Sequence, residues 1–349
     1  MKRNPLSREL RKYSQIFVVC DRNVESFARQ IAGLGAEEDA GGRLMCIDAD
    51  EAHKTMETAV DICRWLLAAG ADRQALLLSV GGGITSDIAG FAACIYKRGI
   101  RYANVPTTLL AMVDAGLGGK TGVNLDGYKN ILGVIRQPEF TAIFPEVLAT
   151  LPEKEFRSGL AEMLKTFIIG DSRAYSAVIS LLSSSREQGF SSPLASPYTA
   201  ADFVSLIHRA AAIKEGIVEK DEFEKGLRRK LNLGHTWAHA IEWWQHSEGA
   251  GACRHDPGDE AFAHGEAVAV GIIQAAKLAE KLGIAETGLA SRLQYDFEAC
   301  GLPTELPCPE EELLPAIRKD KKAAGSAVAF VLPVRIGRVV IKNLSSRDI

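Results

Sequence analysis

The chain has 349 residues, of which 47% are hydrophobic and 24% charged, and its formal net charge is -3. That length suffices for two domains and a large core, and so small a net charge gives no support to nucleic-acid or anionic-membrane partners. Residues 1–14 carry no apolar signal core, and no apolar run approaches the ~20 residues of a membrane span, so the expected setting is cytoplasmic.

Residues 15–20 form a short apolar β-type run, and Asp21 and Asn23 after it suit a turn or helix cap. Residues 44–47 are a second such run, followed by an amphipathic helix over 51–67. The stretch 75–80 (ALLLSV) is continuously apolar, as a central parallel strand buried on both faces should be. Gly81-Gly82-Gly83 ends it, a helix follows over 84–96, and 101–105 is the next strand. This alternation implies βαβ units and a parallel sheet. Pro106-Thr107-Thr108 leads into a short apolar helix ending near Asp114. A strand is expected over 120–124, a hairpin turn at Asp126-Gly127 and a last strand over 141–144.

From about residue 152 the pattern is mainly helical, over 152–169, 174–183, 200–222, 235–246, 265–282, 286–300 and 310–319. A strand pair over 327–332 and 339–341 closes the chain. The serine-rich 183–197 and the glycine-containing 247–263 interrupt the helices and read as mobile loops. There is no internal repeat. The boundary near residue 150 separates an α/β domain (1–150) from a mainly helical one (151–349), and a cleft between two such domains commonly holds a ligand. Seven cysteines, widely spaced and without a CxxC, read as reduced, mostly buried thiols.

Several groups carry chemistry. A glycine triplet between a buried strand and a helix lets phosphate approach backbone N–H groups, although any tight strand-to-helix turn also favours glycine. Lys120, Lys129 and Asn130 lie among glycines and suit an anion; the plainer alternative is solvated surface charge. Glu162 has apolar helical neighbours and Lys165 at i+3, as either an internal ion pair or a metal ligand with a nearby cation. The stretch 231–242 (LNLGHTWAHAIE) places His235 and His239 on one helix face, and His264 opens the next helix. A lone histidine is ordinarily a satisfied core or surface residue. Three at helix heads beside a drawn-in carboxylate are harder to dismiss. From spacing alone, the metal set is Glu162, His235 and His239. His53, His208, His246 and His255 lack such a context and read as surface residues.

The motifs GGGITSDIAGF, RGIRYANVPTTLLAMVDAGLGGKTGVN, YKNILG, GLAEMLKT, LNLGHTWAHAIE, HGEAVAVGI and DKK occur in order from about Asp21 to Lys321. Together they resemble the 3-dehydroquinate synthase family. The resemblance implies an N-terminal Rossmann-like α/β domain that binds NAD and a mainly α-helical C-terminal domain that binds metal and substrate. It implies a divalent metal, usually Zn2+, with Co2+ as another candidate. The implied substrate is a carboxylated sugar phosphate, 3-deoxy-D-arabino-heptulosonate 7-phosphate, turned into 3-dehydroquinate and phosphate in the shikimate pathway. The implied course is transient oxidation by NAD, phosphate elimination, re-reduction and intramolecular aldol closure.

By position, the resemblance assigns the metal to Glu162, His235 and His264, and makes His239 a proton-relay and substrate partner. It assigns NAD to Asp21, Asn23, Glu51, Lys54, Gly82, Gly83, Asp87, Thr107, Thr108, Lys129 and Thr150, with Lys120 at the boundary between cofactor and substrate. An acidic residue after an early strand suits free ribose hydroxyls and so favours NAD over NADP. Substrate is assigned to Asp114, Lys120, Asn130, Lys165, Lys214, Arg228, Asn232, His239 and Lys321. Lys214 and Arg228 take the carboxylate, and Lys120 and Asn130 the phosphate. Arg98 matches a residue that family members contribute across a homodimer interface. Ala238 stands where glycine is usual and Trp237 where a smaller or different apolar residue is common, and the 247–263 loop is longer than usual.

Alternatives implied by the same fold are another sugar phosphate cyclase, whose substrate lacks the carboxylate, and an NAD- and metal-dependent polyol dehydrogenase. A third, from a different class, is a catalytically inactive scaffold, against which the intact Glu162, His235 and His264 argue.

Overall fold

The structure is a computed structural model that describes residues 6–34, 42–187, 200–246, 261–324 and 328–344. The chain forms two compact units, Met1–Leu151 and Pro152–Ile349.

The first unit is built on a parallel sheet of β1 (Ile16–Asp21), β2 (Leu44–Ile47), β3 (Leu76–Gly81) and β4 (Arg101–Pro106), in the order β2-β1-β3-β4. Helices α1 (Glu25–Ala32), α2 (Met56–Ala68) and α3 (Gly83–Ile95) connect the strands. Alternate residues of a strand face opposite sides of the sheet. Phe17, Val19 and Leu77 accordingly join Ile62, Leu66 and Ile88 in one core, while Val18, Cys20, Leu76 and Leu78 join Ala28 and Ile31 in the other. This explains the unbroken apolar run of β3, since both of its faces are covered. Full burial of each such side chain stabilises by roughly 1.5–3 kcal/mol.

The amphipathic segment at 51–67 becomes helical only from Met56. Thr55 caps it by accepting a hydrogen bond from the Thr58 N–H at 3.2 Å. Ala111–Ala115 is a single π-helical turn. The expected turn joins β5 (Lys120–Leu125) to β6 (Tyr128–Ile135), with Asp126 at φ 49° and Gly127 at φ 79°. Positive φ at both central residues is what a two-residue hairpin needs. The strand expected over 141–144 is not formed. Thr141 makes one isolated parallel bridge to Asn104, and Pro138 and Pro145, which lack an N–H, bracket the segment.

The second unit contains α4 (Glu153–Gly170), α5 (Ser172–Glu187), α6 (Ala200–Lys220), α7 (His235–His246), α8 (His264–Lys281), α9 (Leu289–Ala299) and α10 (Glu310–Ala324). The antiparallel pair β7 (Val328–Arg335) and β8 (Arg338–Leu344) completes it. Helix α5 runs past the expected stop at residue 183, because serine is only mildly unfavourable inside a helix. The rest of that expected loop, and 247–260 of the other, lie outside the described residues. Of the thiols, Cys20 and Cys300 are buried, whereas Cys46, Cys63, Cys94 and Cys308 are only half-buried. Cys20 and Cys46 pair in register on neighbouring strands, with Sγ atoms 3.5 Å apart. Cys253 and His255 lie outside the described residues.

Candidate active site

Three helices of the second unit bring together the carboxylate and the histidines. Their approach depends on glycine. A Cβ at Gly265 would overlap the Ser158 carbonyl of α4, and one at Gly271 would overlap the Gly234 carbonyl that leads into α7. Gly265 N–H also donates to Ser158 Oγ at 3.0 Å. Helix α8 can therefore lie close against both α4 and α7, which carry Glu162 and His235.

At that junction Glu162 is fully buried. Its Oε1 lies 3.5 Å from His264 Nε2 and 3.9 Å from His235 Nε2. Lys165, also buried, forms an ion pair with Oε2. The ammonium compensates Oε2, while Oε1 faces the two imidazoles, and a cation seated among Oε1 and the two Nε2 atoms would be held by all three. The donor set is the one a divalent metal such as zinc accepts, with ligand atoms all within 4.8 Å of one another. His239, which spacing alone had placed in the set, is outside it. Its exposed ring stands 5.5 Å from that of His235, centroid to centroid. The remaining ring nitrogens of the two grouped histidines are also engaged, His235 Nδ1 with Leu233 O and His264 Nδ1 with Glu242 Oε1, each at 3.2 Å. Burial lowers the pKa of His264, but the carboxylates of Glu162 and Glu242 outweigh it and push it up to about 10.

The second unit carries the other cations assigned to substrate. Lys214 on α6 and Arg228 in the 3-10 turn Leu227–Asn232 are both buried. That turn packs against α4 and α6. Its entry is shaped by Asp221, whose carboxylate accepts the backbone N–H groups of Lys225, Gly226 and Arg228 at 2.8, 2.7 and 3.0 Å. Arg228 Nη1 donates to Glu222 O, and Asn232 Nδ2 to Glu224 Oε1, both at 2.6 Å. Lys321 lies on α10, and its side chain is outside the described residues.

In the first unit, most of the residues assigned to NAD follow the carboxyl ends of the parallel strands, whereas Lys120 and Lys129 lie on the hairpin and Thr150 in the 3-10 turn Pro145–Thr150. Asp21 and Asn23 follow β1, where Asp21 Oδ1 accepts the Asn23 N–H at 2.9 Å. Glu51 and Lys54 follow β2, Gly82, Gly83 and Asp87 follow β3, and Thr107 and Thr108 follow β4. The chain runs outward from β1 to β2 and then returns to β3 on the other side of β1. That reversal makes a crevice at the carboxyl ends of β1 and β3, where open α/β sheets bind ligands. Gly82 caps α3 with extended backbone and leaves the helix N-terminus open to an anion.

Lys54, nearly buried, donates to Asp87 Oδ2 at 2.6 Å and to Asn130 Oδ1 at 2.5 Å. Asn130 has φ 54° and donates its N–H to Asn124 Oδ1 at 2.9 Å, while Asn124 Nδ2 donates to Glu51 Oε1 at 2.8 Å. Asn124 therefore ties the β2 end to the hairpin. Sequence reasoning overlooked it, and an asparagine in a strand gives no signal of such a role. Asp114 lies in the π-helical turn, while Lys120, Lys129, Arg98 and Thr150 are exposed.

The class of protein is set by the fold. The chain is similar to a 2-epi-5-epi-valiolone synthase from Streptomyces hygroscopicus subsp. jinggangensis, solved with NAD+ and Zn2+ bound. The TM-score is 0.82 at 29% identity, covering 99% of this chain and 92% of that one. A 2-deoxy-scyllo-inosose synthase shares the fold at TM-score 0.76 and 21% identity, over 96% and 89% of the two chains. This is a sugar phosphate cyclase fold.

Within it, the N-terminal 3-dehydroquinate synthase family model matches residues 44–158 and the C-terminal one residues 159–323. The 3-dehydroquinate synthase of Dictyoglomus thermophilum is 38% identical over 88% of this chain and 80% of its own length. That of Thermococcus kodakarensis is 39% identical over 97% and 88%. The chain belongs to the 3-dehydroquinate synthase family. Among the described residues, no helix is long and apolar enough to cross a membrane.

Proposed function

We propose that this chain is a cytoplasmic 3-dehydroquinate synthase that converts 3-deoxy-D-arabino-heptulosonate 7-phosphate to 3-dehydroquinate and phosphate. The observation that carries the reading is the buried Glu162 carboxylate facing His235 and His264, in a chain of this family. When bound, NAD supplies a hydride acceptor and donor and a divalent ion supplies Lewis acidity. Glu162, His235 and His264 hold the ion. The strand ends at Asp21, Gly82–Gly83 and Thr107–Thr108 hold the dinucleotide, together with Glu51, Lys54 and Asp87.

Lys214 and Arg228, buried cations, hold the substrate carboxylate, which the other cyclase substrates lack. Asn232 and Lys321 complete that grip. Lys120 and Asn130 take the phosphate, with Arg98 supplied by the second subunit of a homodimer. Asp114 positions the substrate. His239, exposed on the same face of α7 as His235, moves protons to and from substrate hydroxyls. Lys165, paired with Glu162, offers the substrate a fixed cation.

The purified protein with NAD, zinc and the heptulosonate phosphate is expected to release inorganic phosphate with no lasting NADH absorbance. The structural likeness to the valiolone synthase favours one second reading, a cyclase for a sugar phosphate without the carboxylate. Phosphate release from that substrate alone would establish it, and NADH accumulating with simple polyols would exclude both. His264→Ala is expected to lose zinc and activity while keeping its circular dichroism, and a normal zinc content in that variant would refute the ligand assignment.

A further inference from the structure

We infer that Glu242 is a positioning residue of the metal centre, holding His264 in the tautomer and ring orientation that present Nε2 to Glu162 and His235. The inference rests on the proposed ligand set and extends it by one residue.

The geometry begins with the sequence of α7. His235, His239 and Glu242 are spaced i, i+4 and i+7, so they form one stripe along the helix. Glu242 is thereby placed two turns beyond His235, facing the first residue of α8. Its Oε1 lies 3.2 Å from His264 Nδ1, and its side chain is mostly withdrawn from water. The opposite nitrogen, Nε2, is the one that faces Glu162.

A carboxylate only accepts hydrogen bonds, so the neutral imidazole that a bound cation requires keeps its one proton on Nδ1. Its lone pair is then on Nε2, directed to the grouped ligand atoms. The anionic acceptor also makes Nε2 a stronger donor to a cation than a neutral acceptor would. His235 receives the weaker form of the same device, since its Nδ1 faces the Leu233 carbonyl. The two histidines are thus oriented by unlike partners, and His264, the first residue of α8, has the charged one.

A merely structural ion pair between α7 and α8 would give the same contact distance, so the test must read the metal rather than stability. Zinc affinity is measured by chelator competition for wild type, Glu242→Gln, Glu242→Ala and His264→Ala. Ligand-field absorption is recorded on the Co2+-loaded proteins. Glu242→Ala is expected to bind zinc about 10–100-fold more weakly and to shift the Co2+ bands. Glu242→Gln, which keeps an acceptor but loses the charge, should fall between. Should Glu242→Ala not fold, the Gln variant decides by the same two readings. A lower melting temperature with wild-type affinity and spectrum overturns the inference while His264→Ala still loses metal. Full metal retention in His264→Ala instead overturns the ligand assignment beneath it.

Discussion

Asn130 has a left-handed backbone, φ 54°, at a position that is not glycine. Such a conformation costs an ordinary L-residue about 1–2 kcal/mol, less for asparagine. It persists because both ends of the residue are held. The N–H is taken by Asn124, and the side-chain oxygen by an ammonium that Asp87 also grips. Strain kept in place by surrounding groups is common where a side chain must be aimed. Asn130→Gly and Asn130→Ala both remove the Lys54 contact, but only glycine accepts the backbone at no steric cost. The alanine variant is expected to be about 1 kcal/mol less stable than the glycine variant by denaturant unfolding. Equal stabilities would show that the hairpin does not impose this conformation. Both variants should raise KM for the phosphorylated substrate.

Elements meet at the site because small residues let their backbones approach. Gly265→Ala sets a methyl against the Ser158 carbonyl, which is backbone and cannot swing away. Overpacking of this kind typically costs about 1–3 kcal/mol. As α8 begins at His264, the same shift moves a proposed ligand, so zinc content should fall along with stability. Retained zinc in a destabilised Gly265→Ala would separate packing from ligation.

The loop before Arg228 depends on Asp221 instead. The Arg228 N–H, then those of Gly226 and Lys225, hold its carboxyl below the usual carboxylate range, against a smaller opposing effect of burial. A depressed folded pKa means that this support is complete above the ordinary value of ~3.9 and is lost as pH falls through the folded one. The difference in stability between wild type and Asp221→Asn should therefore be constant from pH 5 to 7 and shrink in strong acid. A difference that grows on acidification would contradict the assignment.

At the scale of the whole molecule, the sequence disclosed most where one residue type serves one purpose. The apolar run of β3 announced a doubly covered strand, and the glycine triplet its sharp exit. The ordered motifs carried the family. Features that depend on a distant partner were illegible, such as Asn124 reaching Glu51 and Thr141 bridging to Asn104, and so was the local turn in which Asp221 gathers three amides. Glu242 lay between these cases, because its place on the α7 stripe could be counted but its facing residue could not.

The division of labour between the units gives the broadest test. The proposed metal ligands all lie in Pro152–Ile349, and the proposed dinucleotide residues in Met1–Leu151. A ligand at 100 times its Kd adds about 2.7 kcal/mol to the state that binds it, and amide exchange slows where opening would break the site. Zinc should slow exchange in Glu153–Gly170, His235–His246 and His264–Lys281. NAD should do so where β1, β3 and β4 end. Protection of the strand ends by zinc alone, or of the three helices by NAD alone, would reverse the assignment of cofactors to units.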